Sequence, residues 1–249
     1  MSARFEGRIA VVNAAAGAGI GGEVVRRLLA EGASVAFSDV SARRLERFTA
    51  EVSEEYGADR ILAEAVDAGD EEQVRRFFAS LRDRFGALDV LVNSVGLNRL
   101  APFAQTPTEI WRQVLGASLT SHFLHAREAW PLLLESSAPS IVNISSLAAR
   151  DPAPFGEVSY ASAKGGVLGL THALAAEGAA HGIRANAVLP GLIWNERLTA
   201  GVDPEYVDSY RAKRRFARDG SPDEVADVIL FLASSESRNL TGQEITVGA

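Results

Sequence analysis

The sequence predicts an α/β fold: a doubly wound sheet of seven parallel strands with helices on both faces. Two observations carry this expectation. Short apolar runs of strand length alternate with helical periodicity along the chain, as right-handed strand–helix–strand crossovers require. The first such run, Arg8 to Asn13, leads into a glycine-rich turn and then a helix. No Pro/Ser-rich linker, charge block or repeat divides the 249 residues, so 1–249 reads as one domain with a full core.

Taken in order, the first strand is followed by Ala14-Ala15-Ala16-Gly17-Ala18-Gly19-Ile20-Gly21-Gly22, and then by Val24, Val25, Leu28 and Leu29 on one side of a helix. In a strand–turn–helix unit, glycines let the backbone approach a pyrophosphate and the helix N-terminus favours its charge. Gly17, Gly19, Ile20 and Gly21 are therefore candidate dinucleotide contacts. Val35-Ala36-Phe37-Ser38 forms the next strand and ends in Asp39, 20 residues after Gly19. A carboxylate there accepts hydrogen bonds from an adenosine ribose and repels a 2′-phosphate, so NAD is expected over NADP. Arg43 and Arg44 weigh against this, and are read as the solvent-facing start of a charged helix.

Arg60 to Val66 reads as a third strand ending at Asp67, followed by a helix from Glu71 to Phe85. Leu88 to Val92 is the fourth strand, and it runs into Asn93-Ser94-Val95-Gly96. Gly96 permits close backbone approach, and Asn93 either meets a ligand or ties neighbouring strands together. A long helix from about Thr108 to Leu134 carries Ser118 and two histidines three apart, His122 and His125. With no third ligand evident and no cysteine in the chain, no metal is expected.

The fifth run, Ser140-Ile141-Val142-Asn143-Ile144-Ser145, is closed by Ser146 at a strand end, where open α/β sheets bind ligands. A loop with two prolines and a glycine, Ser146 to Ser159, separates it from Tyr160-Ala161-Ser162-Ala163-Lys164. Positions four apart share a helix face, so the Tyr160 phenol and the Lys164 ammonium can serve one site. A nearby cation favours the phenolate and tunes the phenol toward proton transfer. The chain holds only two lysines, Lys164 and Lys213, among 25 basic residues, which marks Lys164 as selected. Small residues line the helix beyond it: Ala161, Ala163, Gly165, Gly166 and Gly169. They imply close packing against another helix or a cofactor.

These motifs, in this order and over nearly the whole chain, resemble the short-chain dehydrogenase/reductase family in its single-domain, Rossmann-type form. The resemblance implies hydride transfer between C4 of NAD(H) and a carbonyl or secondary alcohol carbon. Tyr160 would exchange the proton, Ser146 would hydrogen-bond the developing alkoxide, and Lys164 would lower the phenol pKa while binding the nicotinamide ribose. It also implies an adenine contact at Asp67, a nicotinamide turn at Pro190-Gly191 with Ile193 beyond, and a carboxamide contact at Asn195. Ser118 stands where relatives carry an asparagine that holds a proton-relaying water. Asn13-Ala14-Ala15 replaces the usual Thr-Gly opening with one residue inserted, and the C-terminus lacks the usual Asp-Gly-Gly. Rival readings are a non-redox lyase, isomerase or cyclase, and a binding protein without catalysis.

Ile183 to Leu189 is the sixth strand, and Pro222 to Ala233 with Glu244 to Val247 form the last helix and strand. Between them, about 192–219 is expected to be an irregular substrate lid carrying Trp194, Tyr206 and Tyr210. Arg211, Lys213, Arg214 and Arg215 in that lid are either a solvated face or a site for an anionic substrate. The net charge of −7 argues against a nucleic-acid partner. The N-terminus is polar and no apolar run is long enough for a span, so a cytoplasmic protein without a membrane partner is expected. The resemblance implies a homotetramer or homodimer.

Overall fold

The computed structural model describes residues 3–194 and 203–248. Seven strands, β1 Ile9–Asn13, β2 Ser34–Asp39, β3 Ile61–Ala65, β4 Val90–Asn93, β5 Ser140–Ile144, β6 Arg184–Pro190 and β7 Glu244–Val247, form one sheet in the order 3-2-1-4-5-6-7. Every pairing is parallel. The predicted strands are all present, with ends displaced by a residue or two, as ladder termini commonly are.

Among the described residues the α-helices are α1 Ile20–Ala30, α2 Ala42–Tyr56, α3 Glu71–Phe85, α4 Thr108–Leu115, α5 Ser121–Leu133, α6 Val158–Gly178, α7 Pro204–Arg211, which packs on the loops above the sheet, and α8 Pro222–Ala233. The period of two in a strand sends neighbours to opposite faces. Ala10 and Val12 of β1 pack with Val24, Val25, Leu28 and Leu29 of α1 and with Ile229 of α8. Val11, between them, packs on the other side with Phe77 and Leu81 of α3 and Leu132 of α5. Burial on both faces is why the strands read as continuous apolar runs.

The order reverses between β1 and β4, and the loops leaving these strands part at that point to open a crevice above the carboxyl edge. The segments after Asn13, Asn93, Ile144 and Pro190 all emerge on this edge.

Two expected elements differ. The helix from Thr108 to Leu134 is broken by a wider, π-helical turn over Gly116–Thr120, which holds Ser118 and separates α4 from α5. The segment expected to be an irregular lid contains a helix among its described residues: Asp203 caps α7 by accepting from the Glu205 N–H, Pro204 opens it, and Val207 and Tyr210 bury its inner face. Asn195 lies outside the described residues.

Candidate active site

The turn after β1 is tight despite its missing Thr-Gly. Ala14 adopts φ 53 and Gly17 φ 129, both in the region L side chains avoid. A Cβ on Gly21 would lie 2.7 Å from the Ala14 carbonyl oxygen, and one on Gly22 would strike Gly17. These glycines hold the loop against α1. Gly19 is different: a Cβ there meets nothing within 4 Å, and the start of α1 has no side-chain cap. The fold itself does not require glycine at Gly19, so its backbone stands open to a ligand.

Asp39 is buried at the end of β2 and reaches across to this loop. Its Oδ2 accepts from the Ala16 N–H at 3.3 Å, and its Oδ1 accepts from the Ser41 N–H at 2.9 Å and from Arg44 at 2.7 Å. Arg44, read as solvent-facing, is half-exposed and pairs with this carboxylate. A carboxylate offers about four lone-pair sites, so one on Oδ2 is left for a ribose hydroxyl. Asp67, exposed beyond β3, holds the Gly69 N–H through Oδ1 at 2.9 Å.

Asn93 does not line the crevice. It forms the middle of a buried polar chain across the sheet. Asn13 Nδ2 donates to Asn93 Oδ1 at 2.8 Å, Asn93 Nδ2 donates to Asn143 Oδ1 at 2.9 Å, and Asn143 Nδ2 donates to Thr171 Oγ1 at 2.9 Å. Asn13 Oδ1 also accepts from the Ser94 and Val95 N–H groups. Three strand ends and α6 are thereby locked together, and the loop that presents Gly96 is anchored. Of the two roles read for Asn93, the strand-tying bonds are the ones present among its contacts.

Ser146, Tyr160 and Lys164 converge on one cleft of about 610 Å³, lined also by Ile20, Ser94, Gly96, Ser145 and Pro190 to Ile193. Lys164 is buried under it. Its Nζ donates to the Ile144 carbonyl at 2.8 Å and the Val95 carbonyl at 3.0 Å, and sits 5.8 Å from the Tyr160 ring centre. Burial lowers the Lys164 ammonium to about 7. The Tyr160 phenol is pushed up to about 12, by burial first and then by the charge of Glu157, while the Ser146 hydroxyl works the other way. Desolvation disfavours the charged form of each group and is the largest cause of both shifts, so the phenol stands above its ordinary value beside Lys164. The neighbouring Ser145 also lines the cleft, and its hydroxyl donates to the Lys164 carbonyl at 2.8 Å.

Ser118 is fully buried, and its hydroxyl serves the Leu97 backbone at both ends, accepting from N–H at 2.8 Å and donating to C=O at 3.2 Å. It clamps the loop after β4 and is not part of the cleft lining.

A family model described as enoyl-(acyl carrier protein) reductase matches residues 14–249. The chain belongs to the short-chain dehydrogenase/reductase family. It is 40% identical over 245 residues, 98% of this chain and 92% of the relative, to the (5R,7aS)-5-hydroxy-7a-methyl-1-oxo-2,3,5,6,7,7a-hexahydro-1H-indene-carboxyl-CoA reductase of Mycobacterium tuberculosis. It is 33% identical to the 3-oxoacyl-[acyl-carrier-protein] reductase FabG of Thermotoga maritima, over 98% of this chain and 97% of that one. Among solved structures, a short chain dehydrogenase from Mycobacterium smegmatis superposes with a TM-score of 0.85 at 33% identity, covering 99% of this chain and 94% of that one. The seven-stranded parallel sheet is that of the short-chain dehydrogenase/reductases.

Within this family member, sequence reasoning missed Glu157. It is buried at the foot of α6, and its carboxylate accepts from Tyr206 Oη at 2.6 Å, Tyr210 Oη at 2.7 Å, the Ala153 N–H at 2.7 Å and Asn98 Nδ2 at 3.1 Å. Both phenols are raised by burial and by this bond. Its position three residues before Tyr160 was visible; the donors, distant in sequence, were not. The cationic lid residues are paired outside the cleft: Arg211 and Arg214 with Asp219, and Lys213 with Asp151. Arg99, by contrast, lines the cleft and is exposed. His122 and His125 are fully buried, and burial lowers both, His125 to about 4.

Proposed function

We propose that this chain is an NAD(H)-dependent oxidoreductase that interconverts a carbonyl and a secondary alcohol, as one nucleotide-binding domain with a lid at about 192–219. The observation that carries the reading is the convergence of Ser146, Tyr160 and Lys164 on one cleft at the strand-order reversal, with Gly96 and Pro190 to Ile193 facing them.

The chain's residues fit a dinucleotide: an open backbone at Gly19, a buried carboxylate with a spare acceptor at Asp39, and a cleft continuing past Ile20. Gly17, Gly19, Ile20 and Gly21 would hold the pyrophosphate, Asp39 the adenosine ribose and Asp67 the adenine side. Gly96, Pro190, Gly191 and Ile193 would hold the nicotinamide end, and Lys164 its ribose. A bound nicotinamide supplies or accepts the hydride.

Around it, Ser146 donates a hydrogen bond to the substrate oxygen, favouring charge as it develops there. Tyr160 gives that oxygen its proton in reduction and takes it back in oxidation. Lys164, held by two carbonyls beneath the cleft, offers its remaining donor toward the reacting groups. Ser118 acts by positioning the Gly96-Leu97 backbone. Asp39 supports NAD, since a 2′-phosphate there would meet a buried negative charge. The relatives' names support a carbonyl of a coenzyme- or carrier-linked acid as one substrate class. Charge recognition then falls to Arg99 at the cleft, not to Arg214 or Arg215. A homodimer or homotetramer is the expected assembly.

Calorimetric titration with NAD, NADH, NADP and NADPH tests the reading. Tight NAD(H) with weak NADP(H) is expected; no binding by any of the four would refute it. Tyr160→Phe should keep nucleotide affinity and lose turnover by at least about a hundredfold.

The engagement of Ser118 with Leu97 favours one second reading, a non-redox conversion on the same scaffold. Substrate turnover without net change in NADH absorbance would select it.

A further inference from the structure

Glu157 is an unusual group to bury. Among the described residues no arginine or lysine pairs with it, yet a carboxylate removed from water needs its lone pairs satisfied. Four neutral donors do this, and they come from three separate segments. Tyr206 and Tyr210 belong to the lid helix α7, Ala153 to the loop after Ser146, and Asn98 to the loop after Gly96. Asn98 Nδ2 also reaches Tyr206 Oη at 3.1 Å, and the two lid phenols lean on one another at 5.3 Å between ring centres. All converge one helical turn below Tyr160.

We propose that Glu157 is a positioning residue for the reaction: its buried carboxylate fastens the lid helix and two loops of the cleft to the helix carrying Tyr160, and its charge keeps the proton on the Tyr160 phenol. This rests on the hydride-transfer reading of the cleft.

The geometry gives the fastening its direction. Among the described residues, without Glu157 no hydrogen bond joins the phenols of α7 to α6; what remains is the bond between Tyr206 and Asn98 and, at the far end of α7, the pairing of Arg211 with Asp219. The electrostatic role follows from placement. The charged and titratable groups around Tyr160 and Glu157 are Lys164 on α6, Tyr206 and Tyr210 on α7, Lys213 beyond it at 5.0 Å from the Tyr210 ring, and Arg99 across the cleft. Among the described residues, Glu157 is the buried anion there, while Asp151 is exposed and paired with Lys213, and an anion beside a phenol opposes a second negative charge. The phenol therefore remains a proton donor in the resting protein.

Glu157→Gln keeps the shape but replaces one acceptor oxygen with a donor, so part of the donor set loses its partner and the charge is gone. Tyr206→Phe/Tyr210→Phe removes the lid bonds and leaves the charge. Hydrogen exchange of the protein by mass spectrometry reads the fastening, and NMR of ring-labelled tyrosine, of which the chain has four, reads the phenol. Neither needs substrate or nucleotide, so a failure of the redox reading leaves both readouts intact.

In both variants, exchange over residues 204–211 should accelerate at least about tenfold while α1 is unchanged. Only Glu157→Gln should move the Tyr160 titration to lower pH, by about half a unit or more. Unchanged exchange over 204–211 overturns the fastening, and an unmoved Tyr160 titration overturns the electrostatic role. Should Glu157→Gln fail to fold, the double phenylalanine variant still decides the fastening, and Glu157→Asp, which keeps the charge on a shorter stem, decides the rest: a titration shift as large as half a unit there overturns it.

Discussion

Asn143→Ala tests the polar chain that sets the positions of the cleft-bearing strand ends. Asn143 is fully buried, accepts from Asn93 at 2.9 Å and donates to Thr171 at 2.9 Å. Two lost hydrogen bonds account for about 2 kcal/mol, at ~1 kcal/mol each. Asn93 Nδ2 keeps only a long contact to the His122 carbonyl at 3.5 Å, and that near-orphaned donor adds roughly 1 kcal/mol. The sum, about 3 kcal/mol, corresponds to a fall in Tm of roughly 6–12 °C for a chain of this size. Urea unfolding at one protein concentration measures it, since assembly would otherwise contribute. Thr171→Val breaks the last link, together with the bond Thr171 donates to the Val167 carbonyl at 2.7 Å, and should cost about 1–2 kcal/mol. The double variant should cost less than the sum by about 1 kcal/mol, because the second change removes a partner already lost. A loss under about 1 kcal/mol for Asn143→Ala, or strict additivity, would refute a continuous chain.

Gly19→Ala should leave the unfolding midpoint unchanged, because its Cβ meets nothing, yet weaken dinucleotide binding at least about tenfold in calorimetry by filling the open backbone. Gly21→Ala, with a Cβ 2.7 Å from the Ala14 oxygen, should lower both. Burial depresses Lys164 from 10.5 to about 7, so between those values the unfolded chain binds one proton more than the folded chain, and stability rises with pH across that window. Lys164→Met should remove this rise, a relative swing of a few kcal/mol (~3–5) in urea unfolding between neutral and pH ~10. Arg214→Ala and Arg215→Ala should leave KM within about twofold, since Arg214 is committed to Asp219 and neither residue lines the cleft.

The sheet, its helices and the glycine turn were legible because their signals are local. Apolar runs, 3.6-residue spacing and turn residues act over a few positions, and Tyr160 with Lys164 needs only helical geometry. What escaped were partnerships between residues far apart in the chain. Asn13 and Asn93 are 80 residues apart, Asn93 and Asn143 are 50, and Glu157 and Tyr210 are 53. Arg44 and Asp39 are close in sequence, but their pairing depends on how the start of α2 turns back over the end of β2. Ser118 was read as standing where relatives hold a proton-relaying water, and the wide turn between α4 and α5 points its hydroxyl at Leu97.

By itself, then, the sequence determined the doubly wound sheet, the crevice at its carboxyl edge and the presence there of Ser146, Tyr160 and Lys164, though not of Arg99. The tertiary structure decided their protonation and their company. Burial, which no local pattern encodes, raises Tyr160 and lowers Lys164 despite their helical pairing, and it is burial again that forces Asn93 and Glu157 to find partners across the fold.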